Sequence, residues 1–205
     1  MELFASTISL ATSRVAHSWP WYITRGAGFV AAALLIALML SGIGQFTGLT
    51  FRFIEPRKAW AIHKAMGLAL CAAVVFHVGF LLIDKFMPFR LTQILVPFTS
   101  NYNNGTTFMG LALGSLAVAM GVLAMYGIAT IILTSLTMID VKRQSWHLLH
   151  YISYAVVFFV FLHALYVGTD LKYGTFRAAW ITVGSILTLG IVYRLFHAFT
   201  LSRKK

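Results

Sequence analysis

The sequence predicts an all-α integral membrane protein, a bundle of about five transmembrane helices, and three observations carry that expectation. Charged residues make up only 10% of the chain and hydrophobic ones 60%, with a mean hydropathy of +0.84. A soluble domain carries roughly 25% charged residues, so too little polar surface is present to cover a globule in water. Uncharged apolar runs recur at residues 26–44, 65–83, 108–139, 145–169 and 178–193. The charges that do occur fall mainly in the short connections between those runs.

In chain order, residues 1–22 are expected to form an interfacial helix or a disordered segment. Glu2 stands where a secretory signal carries positive charge, and the apolar run behind it is short and broken. Residues 23–201 form the bundle, as one domain. A helix crosses the hydrocarbon core with about 20 apolar residues, which the first and second runs supply directly. The third is long enough to tilt or to begin at the interface. The fourth spans without help, and the fifth reaches length by continuing through Arg194, whose stem lets the guanidinium snorkel. Residues 202–205 read as a basic cytoplasmic tail.

The formal net charge of +11 points to anionic lipid headgroups as the partner and not to nucleic acid, since no continuous basic arm is present. Arg52, Arg57, Lys58, Lys64, Lys142, Arg143, Arg194, Arg203, Lys204 and Lys205 lie on one side, against Arg14, Arg25, Lys85, Arg90, Lys172 and Arg177 on the other. The positive-inside rule then places the C-terminus in the cytoplasm and the N-terminus outside. The expected location is a bacterial inner membrane, crossed several times. Cys71 is the single cysteine, which leaves a packing role and no disulfide. The outer connection holds Asn104-Gly105-Thr106, a glycosylation tripeptide. Trp19, Trp21, Tyr22, Trp60 and Trp146 precede spans and read as aromatic belts.

Histidines carry the chemistry. His63 and His77 stand fourteen apart in the second span, within HKAMGLALCAAVVFH, and His150 and His163 thirteen apart in the fourth. Fourteen helical residues rise roughly 21 Å and return to within about 40° of the same face. The second and fourth spans run in the same direction, so the two pairs match in depth. Thirteen steps, however, leave His163 roughly 140° from His150, and a tight turn, a bend or an offset must supply the difference. His147, one turn before His150, is an alternative ligand that fits no better. His17 and His197 lie near span ends and read as surface residues. Two imidazoles facing each other across a gap suit axial ligation of heme iron, a site that bundles build from facing helices. Gly67, Ala73, Ala155 and Ala164 would leave a macrocycle room. The expected bundle therefore encloses two stacked b-type hemes.

With the His63/His77 pair, WHLLHYISY at 146–154 followed by His163, and ITRGAGFV at 23–30, the chain resembles the ferric reductase-like transmembrane domain superfamily over residues 23–201. That superfamily includes metalloreductases, the NADPH oxidase membrane domain and the heme subunit of the periplasmic methionine sulfoxide reductase system. The resemblance implies that His63 and His150 bind the cytoplasmic-side heme, that His77 and His163 bind the outer one, and that Arg25 sits near the outer heme. It implies transmembrane electron transfer from a separate donor, a flavoprotein reductase or quinol, to an acceptor on the outer face. Any flavin would sit on a partner, since the chain ends at RKK without a GxGxxG motif. Two other readings of the residues stand beside it: a heme-free transporter or proton channel, and a structural anchor subunit.

Overall fold

The computed structural model describes residues 2–85 and 88–202, with side chains at 18–85, 88–107, 109–110 and 112–197. The expected surface place of His17 and the tail at 203–205 lie outside these. Helix α1 runs over Glu2–Thr47, α2 over Pro56–Ile83, α3 over Leu91–Leu95, α4 over Leu113–Thr137, α5 over Arg143–His150, α6 over Ile152–Val167 and α7 over Gly174–Ser202. Among the described residues five stretches are long and apolar enough to cross a membrane: Ser18–Thr47, Pro56–Ile83, Leu113–Thr137, Arg143–Val167 and Gly174–His197. The chain is a multi-pass membrane protein, as its composition implies. A two-residue antiparallel pair, Thr107–Phe108 with Leu111–Ala112, leads into α4.

Helices suit these long uncharged runs, because hydrocarbon offers backbone polar groups no partner and a helix satisfies them within the segment. The hydroxyls inside the spans are satisfied in the same way: Thr130, Thr134, Thr182, Ser185 and Thr188 each donate to the carbonyl four residues earlier. The ends follow local chemistry. Gly48, at φ +77°, closes α1 in the left-handed conformation, and Pro56 opens α2 where a missing N–H costs nothing. The N-terminal segment continues α1 as helix from Glu2, passing Pro20.

The fourth span is two helices. Tyr151 separates α5 from α6, its N–H reaching the Leu148 carbonyl at 3.2 Å, and Tyr154 N–H reaches back to Tyr151 at 3.1 Å. These are three-residue bonds, in which each residue advances the chain about 120° where an α-helical residue advances about 100°. The tight turn that the thirteen-residue spacing requires is therefore present, between the two histidines it has to reorient.

Helix α1 packs antiparallel along α2, α4 packs along α6, and α7 lies against α1. At mid-depth Leu70, Ala124, Ile128 and Val156 form a buried cluster. Leu70 lies halfway between His63 and His77, and Val156 between His150 and His163. A buried apolar cluster thus stands between the two histidine levels. In the long connection, Asn104 Nδ2 donates to the Tyr166 carbonyl at 2.9 Å, so the side chain of the tripeptide serves to dock the loop on the end of α6.

Candidate functional site

The structure brings the four predicted histidines together in two pairs, one on each side of the apolar cluster. The ring centroids of His63 and His150 are 6.5 Å apart, and those of His77 and His163 are 6.4 Å apart. A direct N–H···N bond between two rings would hold the centroids about 4.9–5.4 Å apart, taking 2.7–3.2 Å for the bond and ~1.1 Å from each ring centre to its nitrogen. A metal between them, at the ~2.0–2.1 Å that zinc takes to imidazole nitrogen, would hold them ~6.4 Å apart. Both pairs have the second spacing.

Ring orientation fits the same use. His77 Nδ1–H donates to the Thr24 carbonyl at 2.8 Å and His163 Nδ1–H to the Ala117 carbonyl at 2.9 Å. A carbonyl only accepts, so the proton sits on Nδ1 and the Nε2 lone pair is left for a ligand, the arrangement that metal-bound histidines commonly show. His63 Nδ1 lies 3.3 Å from Ser41 Oγ. His150 Nδ1 is buried without a hydrogen-bond partner among the described residues. No group of three or more His, Cys, Asp or Glu converges anywhere among those residues. Each pair therefore offers two protein ligands, the number that leaves four positions on an iron for a flat macrocycle.

Space is provided by glycines that the sequence reading did not single out. A Cβ on Gly28 would lie 3.1 Å from His77 Nδ1, one on Gly42 3.7 Å from His63 Cε1, and one on Gly121 2.5 Å from His163 Nδ1. Their signal was present: Gly28 and Gly42 stand fourteen apart on α1, as His63 and His77 do on α2, and antiparallel packing sets each glycine opposite one histidine. Of the small residues expected to leave room, Gly67 lines the cavity at His63/His150, while Ala73 is buried and Ala155 exposed. That cavity has a volume of about 670 Å³ and is walled also by Trp60, Lys64, Arg143, Trp146, His147 and Arg194. Such a volume is within the range of cofactor sites.

Three other side chains make contacts that the sequence pattern did not specify. Arg25 neighbours the His77 level through Thr24, but its guanidinium is paired with Asp170 and lies 4.8 Å from the centre of the Trp21 ring. Trp146 is no belt residue: it is buried, its Nε1 donates to Ser135 Oγ at 3.1 Å, and its ring lies 5.1 Å from that of His150. Arg194 does not simply snorkel. Its guanidinium is surrounded by the rings of Phe46, Tyr154 and Tyr151, at 4.7, 5.3 and 5.7 Å. His147 is exposed on the cavity wall, and His197 is half-buried against Phe46 and Tyr193.

Comparison with known proteins gives one match. The model of a family described as ferric reductase like transmembrane component fits residues 27–162, about two-thirds of the chain. The matched stretch contains His63, His77 and His150 and ends one residue before His163. No curated protein and no solved structure matches.

Proposed function

Since the chain belongs to the ferric reductase-like transmembrane component family, whose membrane domains generally bind heme and move electrons across a membrane, we propose that it does so through two b-type hemes. His63 and His150 hold one, His77 and His163 the other. The observation that carries this is the spacing of both pairs, 6.5 and 6.4 Å between ring centres, too long for a direct hydrogen bond and right for a shared metal. When bound, the hemes supply one-electron chemistry.

The protein's own part is to hold ligands and exclude water. Thr24 and Ala117 orient His77 and His163 through their carbonyls, and Gly28, Gly42 and Gly121 let α1 and α4 approach the rings. The cluster of Leu70, Ala124, Ile128 and Val156 stands between the two levels and contributes no polar group there. It also speaks against a histidine proton relay, which needs polar groups or water between the levels. Arg25, paired with Asp170, stands beside the His77/His163 site and completes its surroundings. The excess of Lys and Arg puts the His63/His150 side in the cytoplasm. Electrons then enter there from a separate flavoprotein reductase or quinol and leave to an acceptor outside, in a bacterial inner membrane.

The test is a pyridine hemochrome assay on detergent-purified chain. Two b-type hemes per chain are expected, and His63→Ala and His77→Ala each remove one. Wild-type protein expressed with heme supplied that purifies colourless refutes the reading.

A further inference from the structure

We infer that the His63/His150 site has the higher reduction potential of the two, and that Arg194 is the positioning residue that keeps it there. The inference rests on the two-heme reading above and adds to it an order of potentials and the residue that sets it.

Two independent features push in the same direction. The first is charge. Among the residues that wall the His63/His150 cavity are Lys64, Arg143 and Arg194, and no acid. Lys64 and Arg143 are exposed, so water and salt screen them. Arg194 is half-buried, and three aromatic rings fix its guanidinium. A fixed cation in a poorly solvated setting favours the reduced site, which carries one more negative charge. At the other level, Arg25 is neutralised by Asp170.

The second feature is hydrogen bonding. His77 and His163 both donate Nδ1–H to main-chain carbonyls, at 2.8 and 2.9 Å. Such a bond makes the imidazole a stronger electron donor and so favours the oxidised metal, one of the means by which a protein tunes heme potential. His63 has only the longer 3.3 Å approach to Ser41 Oγ, and His150 Nδ1 has no partner among the described residues. Weaker donors beside a fixed cation raise the potential; stronger donors beside a neutralised cation lower it. In a half-reduced protein the electron therefore resides at His63/His150.

The experiment is a redox titration of the full chain in detergent, followed in the heme absorption bands, on wild type, Arg194→Gln, Arg194→Lys and Ser41→Ala. Heme is counted first. Fewer than two hemes in the wild type strikes the two-heme reading itself and this inference with it. With two present, Arg194→Gln moves the higher wave to more negative potential and leaves the lower one nearly in place. The expected size is about tenfold in the reduction equilibrium, for one charge at ~12 Å and an effective dielectric near 20, which is ~59 mV for a one-electron couple. Arg194→Lys keeps the charge and holds the wave near its original position. Ser41→Ala moves the same wave the other way, because His63 loses its acceptor. A shift of the lower wave by either Arg194→Gln or Ser41→Ala overturns the assignment, as does an Arg194→Gln protein with both waves unmoved. Should Arg194→Gln not assemble, the wave that Ser41→Ala moves decides alone.

Discussion

Adding one methyl group at Gly121 is the sharpest perturbation of the His77/His163 site. The new Cβ would stand 2.5 Å from His163 Nδ1 and 2.7 Å from Cε1, inside the distance at which either atom tolerates a carbon. The ring has no easy retreat, because Nδ1 is bonded at 2.9 Å to the carbonyl of Ala117, one turn earlier on the same helix. Overpacking a fitted site costs about 1–3 kcal/mol, and losing the bond adds about 0.5–1.5 kcal/mol. Replacing glycine in a helix returns about 0.8–1.0 kcal/mol. The net, about 0.5–3.7 kcal/mol, is expected to weaken heme retention at that site by roughly 2- to 500-fold. Two other glycines calibrate the effect. Gly28→Ala, at 3.1 Å from His77 Nδ1, asks for a small displacement, and Gly42→Ala, at 3.7 Å from His63 Cε1, makes an ordinary contact. Heme per chain, measured before and after challenge with a heme-scavenging protein, should fall most for Gly121→Ala, less for Gly28→Ala, and stay at two for Gly42→Ala. Full retention with an unchanged spectrum in Gly121→Ala, or the reverse order, would refute the reasoning.

Other perturbations separate the parts of the molecule. Arg25→Ala and Asp170→Ala each unpair a partly exposed ion pair that ties α1 to the turn after α6; a double-mutant cycle by thermal unfolding in detergent should give a coupling of about 1 kcal/mol, and additivity would deny the tie. Trp146→Phe removes the bond to Ser135 and lowers stability by about 1 kcal/mol. Ser135→Ala should do the same, the two together costing no more than either alone, while the spectrum of one heme only is disturbed. Gly184→Ala drives a Cβ into the Phe161 ring, which stacks at 5.6 Å on Trp180; melting temperature should drop by the equivalent of about 1–3 kcal/mol with two hemes still bound, since the cavity these three residues line includes none of the four histidines.

The five spans and the four histidines were legible because membrane helices announce themselves by run length, and because an imidazole in such a run is rare. The matched depths followed from helical rise alone. The break at Tyr151 was not legible as a place: WHLLHYISY holds neither Gly nor Pro, and only the deficit in angle said that some distortion had to exist. Trp146 looked like a belt residue because a tryptophan before an apolar run usually is one; its side chain is instead turned inward from the largely exposed α5, with Ser135 of α4 as its anchor. Arg25 was placed by neighbourhood, but its partner Asp170 lies 145 residues away, beyond the reach of local pattern. The glycines required knowing which helices face each other, after which their spacing becomes informative.

That spacing has a mechanical consequence. In α1 and α2 the glycine–histidine contacts recur after fourteen residues on both strands of an antiparallel hairpin, Gly28 with His77 and Gly42 with His63. Fourteen is two heptads, the interval that a left-handed wrap of two helices keeps on one seam. The separation of the two sites is thus graduated on a hydrogen-bonded rod and owes nothing to the loops. Connections can lengthen, shorten or sway while the separation of the two histidine levels stays constant. Removing one residue between 63 and 77 would instead turn one site by about 100° against the other and draw it ~1.5 Å nearer, spoiling the ruler at a single stroke.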